Sequence, residues 1–192
     1  MSLIVTISGS PSATSRTSAL ALHVGAQLAG RGFEVRSIAV RDLDPEALLH
    51  ARVDAPAIRD ALALVALADA VVIATPVYKA AYTGVLKAFL DLLPQFGLAG
   101  KTVLPLATGG TIAHVLAIDY GLRPVLASLG ALHIVNGLFV LDKLLESSDT
   151  GLKIEADIGK RLDGVVDEFA LSVERHGRPR SAPAVLLAAT SP

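Results

Sequence analysis

Three short runs in this chain are apolar almost without alternation: residues 3–7 (LIVTI), 70–75 (AVVIAT) and 101–107 (KTVLPLA). A strand covered on one face alternates apolar and polar residues, whereas a strand buried on both faces has no reason to. Between these runs the apolar residues recur at helical spacing. Leu20, Val24 and Leu28 follow a capping serine, Ser15, and the pattern closes at Gly30 and Gly32. Residues 57–68 and 83–93 have the same character, the latter stopped by Pro94. Residues 33–40 read as a further strand and 42–55, with Pro45, as an irregular connection. A fourth helix is predicted over 112–129, a fifth strand over 131–141 and a last helix over 155–174. Strands alternating with helices require right-handed crossovers, so the predicted fold class is α/β, a five-stranded parallel sheet with helices on both faces.

A chain of 192 residues suits one domain. We place it at 1–176 and read 177–192, rich in small residues and proline, as a tail that is mobile or docked on a neighbour. Hydrophobic residues make up 52% and mean hydropathy is +0.56. The longest apolar stretch, 61–75, is interrupted by Asp69 and stops at Pro76, short of the roughly 20 residues needed to span a bilayer. No membrane association is therefore expected, and a homo-oligomer, dimer or tetramer, is the predicted sink for the apolar excess. The 17 basic and 18 acidic residues are dispersed, which argues against nucleic acid. No cysteine is present, so thiolate chemistry and disulfides are excluded. The opening MSLIVTISGS reads as a strand rather than an export signal, giving a cytoplasmic expectation. No metal site is expected.

In a parallel sheet, ligands sit beyond the carboxyl ends of the strands. The loop after strand one, GSPSATSRTS, offers six hydroxyls, an arginine and a helix start, which suits an anion such as phosphate. The bland alternative is that Ser15 is only a cap. The loop after strand three, Pro76 to Gly84, carries two of eight aromatic residues in the chain, Tyr78 and Tyr82, able either to pack near a planar ring or simply to cover the core. After strand four, Thr108-Gly109-Gly110-Thr111 permits positive φ or close backbone approach, although paired glycines more often mark a turn. His114, one turn on, is more readily a cap or filler than a ligand. Pro124 cannot donate to the Tyr120 carbonyl, so the fourth helix is predicted to be irregular there, as a π-bulge or a kink.

The blocks GSPSATSRTS, ATPVYKAAYTGVLKAFLDLLP and KTVLPLATGGTIAHVLAIDYGLRPVL resemble the NAD(P)H-dependent FMN reductases that supply alkanesulfonate monooxygenases, over roughly residues 3–140. The resemblance implies a flavodoxin-like sheet of order 2-1-3-4-5, FMN as substrate or loosely held cofactor, and NADPH or NADH as hydride donor. It also implies an oligomer and a flavin-dependent alkanesulfonate monooxygenase as partner. Carried over by residue, Ser10, Ser15, Arg16 and Thr17 match the phosphate loop. Pro76, Val77, Tyr78 and Lys79 match the flavin-edge loop, and Thr108, Gly109, Gly110 and Thr111 the third. Tyr120 matches an inserted tyrosine that forms a π-helix at the subunit interface beside the flavin, a candidate for control of flavin transfer; no side chain is assigned as a certain catalyst. One departure is Ser12, where the family often has arginine. The rival readings are an FMN-retaining quinone, azo-dye or chromate reductase, separated by flavin retention, and a flavodoxin-type electron carrier, separated by lack of NAD(P)H oxidation.

Overall fold

The computed structural model describes residues 1–148 and 151–176; the predicted tail 177–192 lies outside the described residues. β1 (Leu3–Ser8) is buried along its whole length. α1 (Arg16–Gly30) buries Leu20, Val24 and Leu28, the predicted stripe. β2 (Glu34–Ala39) is a half-exposed edge strand. The connection expected to be irregular contains a short helix, α2 (Pro45–Leu49), because the Asp44 carboxylate accepts the Ala47 N–H at 2.6 Å and Pro45 occupies the first turn, where its missing N–H costs nothing. α3 (Pro56–Leu67) starts on proline in the same way. β3 (Ala70–Tyr78), β4 (Ala81–Tyr82), α4 (Gly84–Leu90) and β5 (Thr102–Gly109) follow. Then come α5 (Arg123–Ser128), β6 (His133–Ile134), β7 (Leu138–Leu141), the hairpin β8 (Leu145–Ser148) and β9 (Gly151–Ile154), and α6 (Ala156–His176).

The main sheet runs β2-β1-β3-β5, and both β6 and β7 pair with β5; every one of these pairings is parallel. If β6 and β7 count as one interrupted strand, this is the order 2-1-3-4-5. Neighbouring residues of β1 point to opposite layers. Val5 and Ile7 join Ile58, Phe89 and Leu122 on the α3, α4 and α5 side, whereas Ile4 joins Leu20, Leu104 and Phe169 on the α1 and α6 side. Each fully buried side chain of this size contributes about 1.5–3 kcal/mol. Asp69, the charge that interrupts the longest apolar stretch, fastens β1 to β3: its carboxylate accepts the Leu3 N–H at 2.8 Å and its own N–H donates to the Leu3 carbonyl at 2.8 Å.

Three expectations need correction. The fifth strand, predicted as continuous over 131–141, is two pieces, and β4 adds an antiparallel strand beside the end of β3, so the sheet has seven strands rather than five. The Val103 carbonyl accepts the Val135 N–H at 3.0 Å, so Pro105, two residues on, turns its nitrogen toward the same neighbour and has no hydrogen to donate. The register then slips: from Val103↔Ile134 to Leu106↔Leu138, β5 advances three residues and its partner four. Gly137 sits in the slip, where a Cβ would lie 2.6 Å from the Pro105 carbonyl oxygen. Secondly, the helix predicted over 112–129 is a 3₁₀ turn (Ile112–His114), a π-helix (Ala117–Leu122) and α5. Thirdly, the β8–β9 hairpin was not anticipated; Leu145, Leu152 and Ile154 pack it onto the α1 and α6 side of the core.

Candidate functional site

The carboxyl ends of β1, β3 and β5 bring the three predicted loops together. The Gly9 N–H donates to the Ala74 carbonyl at 2.8 Å, carrying the ladder one residue beyond β1. Ser15 is indeed the cap of α1, its hydroxyl accepting the Ser18 N–H at 3.1 Å. Capping leaves other first-turn amides of α1, at the positive end of the helix dipole, directed at the loop. Arg16 opens α1, exposed, and its guanidinium has no hydrogen bond or ion pair among the described residues. Ser10 and Thr17 are instead buried. The Ser10 hydroxyl accepts the Ser12 N–H at 3.3 Å, and Thr17 pairs hydroxyl to hydroxyl with Thr108 at 2.7 Å, joining the first turn of α1 to the end of β5.

The second segment is not a loop at Pro76. Pro76 is buried inside β3 opposite Thr108, and Val77 and Tyr78 continue that strand into pairing with Tyr82 and Ala81 of β4. The two-residue connection, Lys79-Ala80, has φ of +50° and +66°. Positive φ at both central residues is what a type I′ hairpin requires, and neither residue is the glycine or asparagine that supplies it easily. The left-handed conformation costs roughly 1–2 kcal/mol at each. Strain held at the rim of a crevice points to function. Tyr78 and Lys79 are exposed at this tip.

Thr83, which no sequence argument singled out, fixes the hairpin to the first loop. Its hydroxyl donates to the Gly9 carbonyl at 2.6 Å and accepts the Leu86 N–H at 3.1 Å, capping α4, while its N–H donates to the Thr75 hydroxyl at 3.1 Å. A threonine one residue before a helical pattern is a capping signal. Its contact 74 positions back has no local signal. Farther along α4, the Asp91 carboxylate accepts from the Lys87 ammonium at 2.6 and 2.8 Å, which raises the Lys87 pKa and commits that charge to its own helix.

The third segment is likewise a loop only from Gly110, since Thr108 and Gly109 close β5, and its glycines act by size, neither having positive φ. A Cβ on Gly109 would lie 2.9 Å from the Phe139 ring, whereas one on Gly110 would meet nothing within 4 Å. Gly110 therefore leaves bare backbone on open space beside the hairpin strand. Thr111 caps the 3₁₀ turn, accepting the Ala113 N–H at 3.3 Å. The chain then enters the π-helix, and the predicted irregularity at Tyr120 is present: the Arg123 N–H reaches back five residues to the Ile118 carbonyl. Tyr120 projects outward, 80% exposed. Between the hairpin tip and the π-helix lies a cavity of about 240 Å³, lined by Ala80, His114, Ala117, Tyr120 and Gly121.

No helix among the described residues is long and apolar enough to cross a membrane. Residues 2–145 match the family model described as NADPH-dependent FMN reductase. The chain is 44% identical to an FMN reductase (NADPH) of Pseudomonas putida KT2440, covering 96% of this chain and 94% of that one. It is 42% identical to the FMN reductase (NADPH) of Escherichia coli K12, over 90% of both. Among solved structures, an NADH:FMN oxidoreductase (EMOB) in its apo form superposes with a TM-score of 0.84 at 45% identity, over 95% of this chain and 98% of that one. An archaeal flavodoxin, 14% identical with a TM-score of 0.60 over 90% of this chain and 99% of that one, shares the fold. This α/β, flavodoxin-like chain belongs to the NADPH-dependent FMN reductase family and is an NAD(P)H:FMN oxidoreductase.

Proposed function

We propose that residues 1–176 form one catalytic domain whose three-loop crevice takes up FMN, reduces it with NAD(P)H and hands it to a flavin-dependent alkanesulfonate monooxygenase. The observation that carries this reading is the pair of buried ties, Thr17 to Thr108 at 2.7 Å and Thr83 to Gly9 at 2.6 Å, which hold the loops rigidly while leaving Arg16 unengaged. Ser10, Ser15, Arg16 and Thr17 hold the phosphate, through first-turn amides and one guanidinium. The backbone of Pro76, Val77, Tyr78 and Lys79 faces the ring edge, and Thr108, Gly109, Gly110 and Thr111 give it close approach to main chain. Gly110 fits this role because the space a Cβ would fill is open. When bound, FMN supplies the ring that accepts the hydride from NADPH or NADH. The protein orients the two ring systems and excludes water. No side chain needs to move a proton in that step.

Handing on the product requires a flavin that leaves. The π-helix at Tyr120 and the adjacent cavity support a role for that turn in release, at an interface between copies of this chain in a dimer or tetramer. We take the setting to be cytoplasmic, where reduced nicotinamide nucleotides are available. The test follows NADPH and NADH oxidation with FMN, FAD and riboflavin in turn, then couples the reductase to an alkanesulfonate monooxygenase and measures sulfite. FMN turnover with sulfite release is expected. A protein that purifies with one equivalent of FMN and reduces quinones without releasing flavin would overturn the proposal.

A further inference from the structure

We infer that Arg41 is a second ligand of the flavin phosphate and supplies the positive charge that Ser12 does not. The inference rests on the phosphate-loop reading above and adds a residue from outside that loop. β2 ends at Ala39, directly beside Ser8 of β1. The next residue, Val40, is fully buried and pins a 3₁₀ turn, Val40–Asp42. Arg41 leaves this turn toward the first loop, and its Nη1 donates to the Ser12 carbonyl, 29 positions earlier in the chain.

A guanidinium has five N–H donors in one plane. One goes to Ser12 and the Nε–H goes to the Asp42 carboxylate at 3.2 Å. Three remain, and 28% of the side-chain surface is open. Asp42 does not cancel the charge for this purpose, because its carboxylate is 68% exposed and an ion pair so placed is weak and screened. Segment 9–18 itself contains one cation, Arg16, against a phosphate carrying nearly two negative charges. Position 12, at the outer turn of that loop, is a neutral serine too short to reach far. Arg41 thus brings a second guanidinium onto a loop with one cation of its own, in a fork geometry suited to two phosphate oxygens.

The experiment measures dissociation constants for FMN and riboflavin by quenching of flavin fluorescence, at low and high salt, for the parent, R41Q, R16A and S12R/R41Q. Riboflavin is the control because it lacks the phosphate. R41Q is expected to weaken FMN on the order of tenfold, with little change for riboflavin and a shallower salt dependence. The double variant S12R/R41Q should regain most of the lost FMN affinity, since it returns a guanidinium to the same loop, and failure to regain any would overturn the proposal. Equal weakening of both flavins would overturn the proposal and make Arg41 a loop brace. If R41Q leaves FMN unchanged while R16A still loses FMN selectively, Arg41 is refuted and the phosphate-loop reading survives. If neither variant separates FMN from riboflavin, both fall. A rise in KM for NADPH alone, with flavin binding intact, would assign Arg41 to the nucleotide and also overturn the proposal.

Discussion

Replacing Thr83 by valine removes one oxygen atom while keeping the shape of the side chain, and the structure fixes what that should cost. The hydroxyl is buried and serves two partners, the Gly9 carbonyl at 2.6 Å and the Leu86 N–H at 3.1 Å. Each partner left unsatisfied away from water costs about 1–3 kcal/mol, so T83V should lose about 2–4 kcal/mol, allowing for some relaxation. Thr83→Ser keeps the oxygen and loses a methyl group, at about 0.8 kcal/mol. Urea unfolding followed by far-UV circular dichroism reads the difference. With a slope of about 1–3 kcal/mol per molar, T83V should lower the midpoint by roughly 1–2 M and T83S by much less. The Gly9 carbonyl also anchors the loop proposed to hold the phosphate, so T83V should weaken FMN binding where T83S does not. Equal midpoints for the two variants would refute the reasoning, because the methyl group, not the hydrogen bonds, would then be what matters.

Gly109→Ala forces a Cβ to within 2.9 Å of the Phe139 ring and should destabilise by about 1–3 kcal/mol, whereas Gly110→Ala, with nothing within 4 Å, should leave the unfolding midpoint unchanged but weaken FMN binding. Parental flavin affinity in G110A would remove Gly110 from the site. Deleting Tyr120 should regularise the π-helix, rotate what precedes it by about 100° relative to α5, and, if the proposed release of flavin depends on that turn, give a variant that purifies yellow with lost free-flavin turnover. A colourless deletion variant with parental turnover would reduce Tyr120 to a residue beside a proline, and sedimentation of the parent as a monomer would remove the interface from the argument.

How far the sequence speaks depends on whether the physical cause is local. β1, β3 and β5 were legible because burial on both faces writes itself into consecutive residues, and α1 because its stripe and its Ser15 cap lie within one segment. The irregularity at Tyr120 was legible for the same reason: the missing donor of Pro124 falls four residues away in the same helix. The break in the fifth strand was not, although its cause is also a proline, because Pro105 lies in β5 and the strand it interrupts begins 28 residues later at His133. Nor did the type I′ hairpin announce itself, since Lys79 and Ala80 adopt positive φ without the residues that favour it.

The candidate site combines both kinds of information, and this decides which substitutions should be informative. Ser15, Arg16 and Gly110 sit on the segments for which the proposed function gives them a role, and sequence pattern alone picks them out. The three segments are tied by long-range bonds, Thr17 to Thr108 across 91 positions and Thr83 to Gly9 across 74, and a further one, Arg41 to Ser12 across 29, braces the first loop from the end of β2. Two of these are buried and directed at fixed atoms, so their removal should lower stability and loosen the site together. The third lies at the surface and keeps donors to spare, so its removal should spare stability and register in affinity for the charged flavin alone. A variant set that failed to divide along this line would show that burial, on which the whole ranking rests, is not what separates framework from ligand in this crevice.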